Sequence, residues 1–436
     1  MRSSIIPGWK KLRPISKVYL PDHDYPDHYI PRRKVINQST YNAMKSIFTS
    51  FAVLPLLLLI VSQSHAQFVV QGQFRPRFEY RYGYSQLPAD TSDPALFISQ
   101  RTRLSFNYTG KGITGRVTLQ DVRVWGDQQL KSTAPTIGLY ETWVEVKLHD
   151  SLTLRLGRQE LIYDNERVMS NNNWSQSGRV HDAAVMKATL NGWRLDVGAA
   201  FNQLQENTFG TNYDNSQSSI KGNYKTMNFI WLAKSFRMFR LGLLGLADGF
   251  QKKGQAKTLY VRGTMGGFLT FYKKDIELTF RGYYQTGKTQ EGRNILAYYL
   301  NPEIKWDIRQ KVLLAGGMEY VSGDNGLDTN NTKFRTFSVL YGTGHRFMGH
   351  MDYFTDMYRD TKGGGLVNLF LRTTWFLSGK FALEADYNYF ALQNNYVVNQ
   401  KAIDKYLGTE LDLNCNITFS KSVALLFGYS FMLGTT

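Results

Sequence analysis

A single cysteine, Cys415, is all that the 436 residues contain, which excludes an internal disulfide framework and any zinc site built on cysteine pairs. Histidine is scarce as well. Past residue 66 only His149, His181, His345 and His350 remain, and no Gly-x-Ser-x-Gly elbow accompanies them. A hydrolase needs a nucleophile within reach of a base and an orienting acid, so no enzyme, catalytic residue or cofactor is expected. His345 and His350 stand five apart with Asp352 nearby, a spacing that fixes no metal-ligand geometry, so no metal is expected either. Also missing after residue 66 is any apolar run of about 20 residues, the length that a membrane-spanning helix requires.

Aromatic residues are plentiful, 27 Tyr and 27 Phe among them. Such a chain folds around large apolar surfaces and is not disordered. Lys and Arg exceed Asp and Glu by 52 to 35, a formal charge of +17. Nine of the basic and three of the acidic residues fall within 1–66, leaving 43 and 32 downstream, interleaved with one another and with apolar positions. Nucleic-acid binding asks for an extended basic face, so no nucleic-acid partner is expected.

From Met44 the chain reads as a secretory signal peptide: Lys45, an apolar run of 11 residues from Phe51 to Val61, then Ser64-His65-Ala66. Cleavage is predicted after Ala66, and the apolar run is too short to span a bilayer. Residues 1–43, rich in Pro and charge and without a period, read as an extension upstream of the true start at Met44.

Past residue 67 the pattern has period two. In Gln67 to Tyr84 the even positions Phe68, Val70, Phe74, Phe78, Tyr80 and Tyr82 are apolar, while the odd positions are Gln71, Gln73, Arg75, Arg77, Glu79 and Arg81. A strand puts these sets on opposite faces. The split recurs at Arg101 and Arg103, at Glu277, Thr279 and Arg281, at Glu384, Asp386 and Asn388, and at Glu410, Asp412, Asn414 and Asn416. Tight turns such as Asn191-Gly192 and Lys273-Lys274-Asp275 alternate with long polar loops near 85–96, 127–136, 164–179, 203–222, 323–365 and 393–403. Short connections at one end and long ones at the other are the mark of a transmembrane antiparallel β-barrel. A soluble sandwich alternates too, but the signal peptide, the strand lengths and the aromatics near strand ends favour the all-β outer-membrane barrel.

About 17 strands are predicted, centred from near 75 to near 427. Bacterial single-chain barrels have even counts, so either the chain lacks a final strand or one lies inside 323–365, where Phe337 to Phe354 is ambiguous. The alternation slips at Gly157 and near Gln120-Asp121; a β-bulge at Gly157 would carry Arg158 and Glu160 to the polar face, whereas without one the strand ends there.

Three segments, Leu119 to Gly126, Tyr140 to Glu145 and Leu156 to Tyr163, together with Asn173 to Arg179, Tyr341 to Phe347 and Met351 to Phe354, resemble the alginate export family of outer-membrane porins. The resemblance covers 67–436 and implies an 18-stranded monomeric barrel in contact with outer-membrane lipid, passing anionic polysaccharide or other small anionic solutes through an arginine-rich lumen.

The polar faces of the first five strands carry Arg75, Arg77, Arg81, Arg101, Arg103, Arg116, Arg123, Lys147, Arg155 and Arg158 against Glu79, Asp121, Glu141, Glu145 and Glu160. Arginine suits an anion path because its planar fork holds carboxylate or phosphate bidentately and keeps its proton. The same residues could instead form salt-bridge networks that stiffen the wall. Arg123, Arg158 and Arg179 lie in the segments that most resemble the family and are the foremost candidates for a positive constriction. A channel for passive passage of anionic solutes is expected, with a general diffusion porin as the alternative; a plugged receptor with some 22 strands does not fit 370 residues. The loop 323–365 could fold into the mouth or lie on the surface.

Overall fold

The computed structural model describes residues 67–132, 135–215, 222–328, 330–399 and 401–435. The expected leader 1–43, signal peptide 44–66 and cleavage after Ala66 lie outside the described residues. The first nine strands are β1 (Gln67–Arg81), β2 (Ala95–Gly110), β3 (Ile113–Val124), β4 (Gly138–His149), β5 (Leu152–Gln159), β6 (His181–Leu190), β7 (Trp193–Phe201), β8 (Thr226–Ser235) and β9 (Phe239–Lys252). Eight more follow: β10 (Gln255–Lys273), β11 (Ile276–Lys288), β12 (Asn294–Ile308), β13 (Val312–Val321), β14 (Leu366–Ser378), β15 (Phe381–Leu392), β16 (Tyr406–Thr418) and β17 (Ala424–Gly434). Each pairs antiparallel with the next along the chain, from Gln67↔Thr109 at the start to Thr418↔Ala424 at the end. With the two-residue strand Lys333–Phe334, which runs parallel to Asn294 and Ile295, the sheet has 18 strands. That short strand lies inside 323–365 but before Phe337, and β13 pairs directly with β14 past it, so it adds no crossing to the wall.

The burial pattern is inverted relative to a soluble protein, and this decides which face meets water. Along β11 the apolar Ile276, Leu278 and Phe280 are exposed while Glu277, Thr279 and Arg281 are buried. Phe280 is 52% exposed and Arg281 6%. Phe68, Phe74 and Phe78 on β1 are exposed in the same way. An outward apolar face is stable only against hydrocarbon, where every backbone group must also be paired; the described helices include none long and apolar enough to cross a membrane, and the strands supply the crossing.

The connection after β1 places Leu87 against Gly434 of β17, so the sheet curls until its outer strands approach. Both run from the short-turn end toward the long-loop end, so an antiparallel ladder cannot join them, and among the described residues none does. Pairing runs through Gly157 in register from Thr142↔Arg158 to Lys147↔Thr153. The expected bulge at Gly157 is therefore corrected, as is its alternative, since β5 continues to Gln159. Near Gln120 the expectation fares differently: the β3 to β4 register shifts between Thr118 and Leu119.

Candidate solute passage

Residues directly opposite in an antiparallel pair share a face, and this rule sorts the candidate arginines. Arg103 lies opposite Gln120, Asn107 opposite Arg116, and Glu145 opposite Arg155. Arg116 Nη1 bridges Glu141 at 3.2 Å, and Arg155 Nε and Lys187 Nζ both reach Glu145 at 2.7 Å. The Arg155 guanidinium sits 3.7 Å from the Trp143 ring centre. These groups line the inner face. Lys147, nearer the short turn, pairs with Asp150 at 2.7 Å.

Arg158 and Arg123 lie elsewhere. Arg158 alternates with the inner Arg155, Gly157 and Gln159, shares a face with Leu154 and Leu156, and pairs with Asp182 at 2.9 Å. Arg123 stands opposite Gln100 and pairs with Asp121 at 2.7 Å, on the face that alternates with the inner Arg101 and Arg103. Both therefore sit on the outer face toward the long-loop rim, where a carboxylate partner and water serve a guanidinium. The expectation that they belong to the lumen is corrected by the register.

Two long connections fold inward and fill part of the lumen. Residues 160–180, between β5 and β6, and the second half of the connection between β13 and β14 pair with each other: Tyr341 N–H donates to the Val168 carbonyl at 3.0 Å, and Ser170 N–H to the Tyr341 carbonyl at 2.9 Å. Val168, Met169, Phe337, Phe347, Met348 and Phe354 pack against the inward-facing Met227, Phe229, Trp231 and Phe250. The aromatic side chains that β8 and β9 turn inward thus meet an apolar partner instead of water. A single helical turn, Met357–Asp360, capped by the Asp356 side chain, ends the second segment.

Charged anchors hold these segments. Arg167, 4% exposed, donates from Nε to Tyr299 Oη at 2.6 Å and to Glu319 Oε2 at 3.1 Å; its Nη2 also bridges Glu319 and approaches Glu303 at 3.4 Å. Asp164 accepts from Arg281, at 3.0 Å for Nη2, and from Tyr283 Oη at 3.1 Å. Arg179 Nη1 donates to the carbonyls of Tyr341 and, at 3.0 Å, Gly342, clamping one inward segment to the other.

The arginines of β1 and β2 grip the same segment. Arg75 donates to the carbonyls of Asn173 and Ser175 at 2.8 and 3.0 Å, Arg77 to that of Trp174, and Arg101 to Asn173 and Ser175 at 3.3 Å. The Trp174 ring lies between the Arg77 guanidinium, 3.8 Å from its centre, and the His345 ring at 3.7 Å. His345 stacks in turn on His350 at 4.8 Å, and its Nδ1 lies 2.9 Å from Asp352. Burial pushes the His345 imidazole down to about 4 despite that carboxylate, so it stays neutral at physiological pH. Among the described residues no group of three His, Cys, Asp or Glu converges on a metal-sized space.

Sequence reasoning missed Asp164, Arg167, Glu303 and Glu319. Asp164 and Arg167 sit in a stretch without period two, and their partners lie more than a hundred residues away. The one available signal was the alternation of Glu303 and Glu319 with apolar neighbours on predicted strands, which marks them as inward and in need of a cation.

The alginate export family profile matches residues 67–434. The chain belongs to the alginate export family. Comparison with curated protein sequences returns no match. Among solved structures the chain is similar to OccK9 (OpdG) of Pseudomonas aeruginosa, with TM-score 0.54, 12% identity, and 85% of this chain and 94% of that one covered. It is similar also to OpdK of the same organism, crystallised with vanillate, at TM-score 0.52 and 10% identity over 85% and 94% of the two chains. The outer membrane protein OprD of that organism gives 0.52 and 10% over 86% and 88%. At such identities the likeness shows the fold, and fold and family together make this member of the alginate export family an outer-membrane β-barrel channel in contact with lipid.

Proposed function

We propose that this alginate export family member is a monomeric channel for passive passage of anionic solutes, an anionic polysaccharide such as alginate among them. The observation that carries this reading is the charge of the inner face of β1 to β5, where Arg75, Arg77, Arg81, Arg101, Arg103, Arg116 and Arg155 stand against Glu79, Glu141 and Glu145. A basic excess on the wall of a confined, low-dielectric passage raises the local anion concentration. Pairing tempers this excess without removing it, because Glu145 serves both Arg155 and Lys187. Arg75, Arg77 and Arg101 hold carbonyls of residues 173–175, and these neutral acceptors leave the guanidinium charge in the wall.

The test is a planar-bilayer current record with oligoalginate added to one side. The reading expects concentration-dependent block that an uncharged oligosaccharide of equal length does not produce. Equal block by both, or by neither, favours a general diffusion porin.

A further inference from the structure

On the wall formed by β15 and β16 the charge changes sign. The register sets Asp386 of β15 opposite Asp412 of β16, Asn388 opposite Glu410, and Glu384 opposite Asn414, so all six side chains share the inner face. Glu410 and Asp412 are fully buried, and Glu384 and Asp386 half-buried. Among the described residues the cations that face them are few. Arg372 Nε lies 3.5 Å from Asp386, and His350 Nδ1 lies 3.8 Å from Asp412.

A second observation concerns hydrogen-bonding capacity. Among the described residues no donor reaches the buried acceptors Glu384 Oε1, Glu410 Oε2 and Asp412 Oδ1, nor Oδ1 of Asn368, a fully buried residue whose amide donates to Asn388 at 2.9 Å. Asn388 in turn approaches Asp412 at 3.5 Å. A buried acceptor without a donor is unfavourable, and here four gather on one wall. What they lack in common is a positively charged hydrogen-bond donor.

Gly349 packs on the Glu410 carboxylate, whose Oε1 accepts from Met351 N–H at 2.9 Å. We propose that this acidic stretch of wall is a binding site for linear ammonium cations carrying two or more amino groups. Side chains on alternate residues of a strand repeat at about 6.8 Å, so Glu384 and Asp386 on one strand, and Glu410 and Asp412 on the next, form two short rows of carboxylates at that pitch. Amino groups joined by a three- or four-carbon chain are spaced similarly, and each donates up to three hydrogen bonds. A bare metal ion fits less well, because among the described residues no three acidic or histidine groups converge on one point. Asp386 is level with Asp412, and Glu384 lies on the short-turn side of the buried pair, which gives entry from that end of the barrel.

The site does not depend on anion passage, and its test has no transport readout. Spermidine is titrated by calorimetry into the detergent-solubilised protein at low salt, with CaCl2 as a separate probe. Saturable spermidine binding is expected, weakened at least tenfold in Glu384→Gln/Asp386→Asn and unchanged in Asp90→Asn, an exposed loop acid. Glu384→Gln alone, at a half-buried position, serves where the double variant fails to give a heat-modifiable folded band. Absence of binding to the wild type, equal loss in Asp90→Asn, or calcium binding as tight as spermidine binding overturns the proposal.

Discussion

Replacing Arg167 by Met removes a guanidinium that is 4% exposed and leaves Glu319, 0% exposed, with its carboxylate facing Tyr299 and no cation. Breaking a buried pair on one side costs about 3–5 kcal/mol, most of it from the charge left behind. If that cost falls on the docking of segment 160–180, the ratio of docked to released segment drops by roughly 10²–10⁴. The single variant is then expected to show lower stability to urea and a noisier single-channel current of larger mean conductance. Adding Glu319→Gln removes the orphaned charge, so the double variant is expected to recover at least half of the lost stability, a coupling that only contacting residues show. A single variant within about 1 kcal/mol of wild type, with an unchanged current record, would refute the assignment of Arg167 as the anchor.

Two further predictions follow from burial. Phe280→Arg, on the outer face, is expected to lower stability by about 2–4 kcal/mol, whereas Thr279→Arg on the inner face costs less, as measured by reversible unfolding from lipid. His345 has its folded value, about 4, below the ordinary 6.5, so the folded state binds fewer protons. Its contribution is complete above about pH 6.5 and is lost as the pH falls toward 4, by roughly 3 kcal/mol in all. Unfolding titrations between pH 7.5 and pH 4.5 are expected to show this decline in the wild type and a flatter profile in His345→Gln.

The barrel was legible in the sequence because period-two alternation is a local property: Glu277, Thr279 and Arg281 alternate with Ile276, Leu278 and Phe280 whatever the rest of the chain does. Arg75, Arg77, Arg101, Arg103 and Arg155 were placed on their face by the same local rule. Arg158 was misplaced because the ladder carries no bulge at Gly157, and Arg123 because a family-like segment says nothing about which way a side chain points. Inward folding of residues 160–180 was invisible for another reason. Asp164 and Arg167 find their partners on β11, β12 and β13, and no spacing along the chain encodes a contact across the lumen. The long connection 323–365 advertised its apolar residues, yet Phe337 and Phe347 revealed their place only against the inner aromatics of the barrel.

The central claim is that the inner face of β1 to β5 sets the charge preference of the channel. Reversal potential under a KCl gradient tests it most directly, in the wild type, in Arg103→Ala/Arg155→Ala on the inner face, and in Arg123→Ala/Arg158→Ala on the outer face. The account predicts an anion-directed shift that weakens in the inner-face variant and persists in the outer-face one. A wild type without preference, or an outer-face variant that loses the shift as fully as the inner-face one, would contradict it.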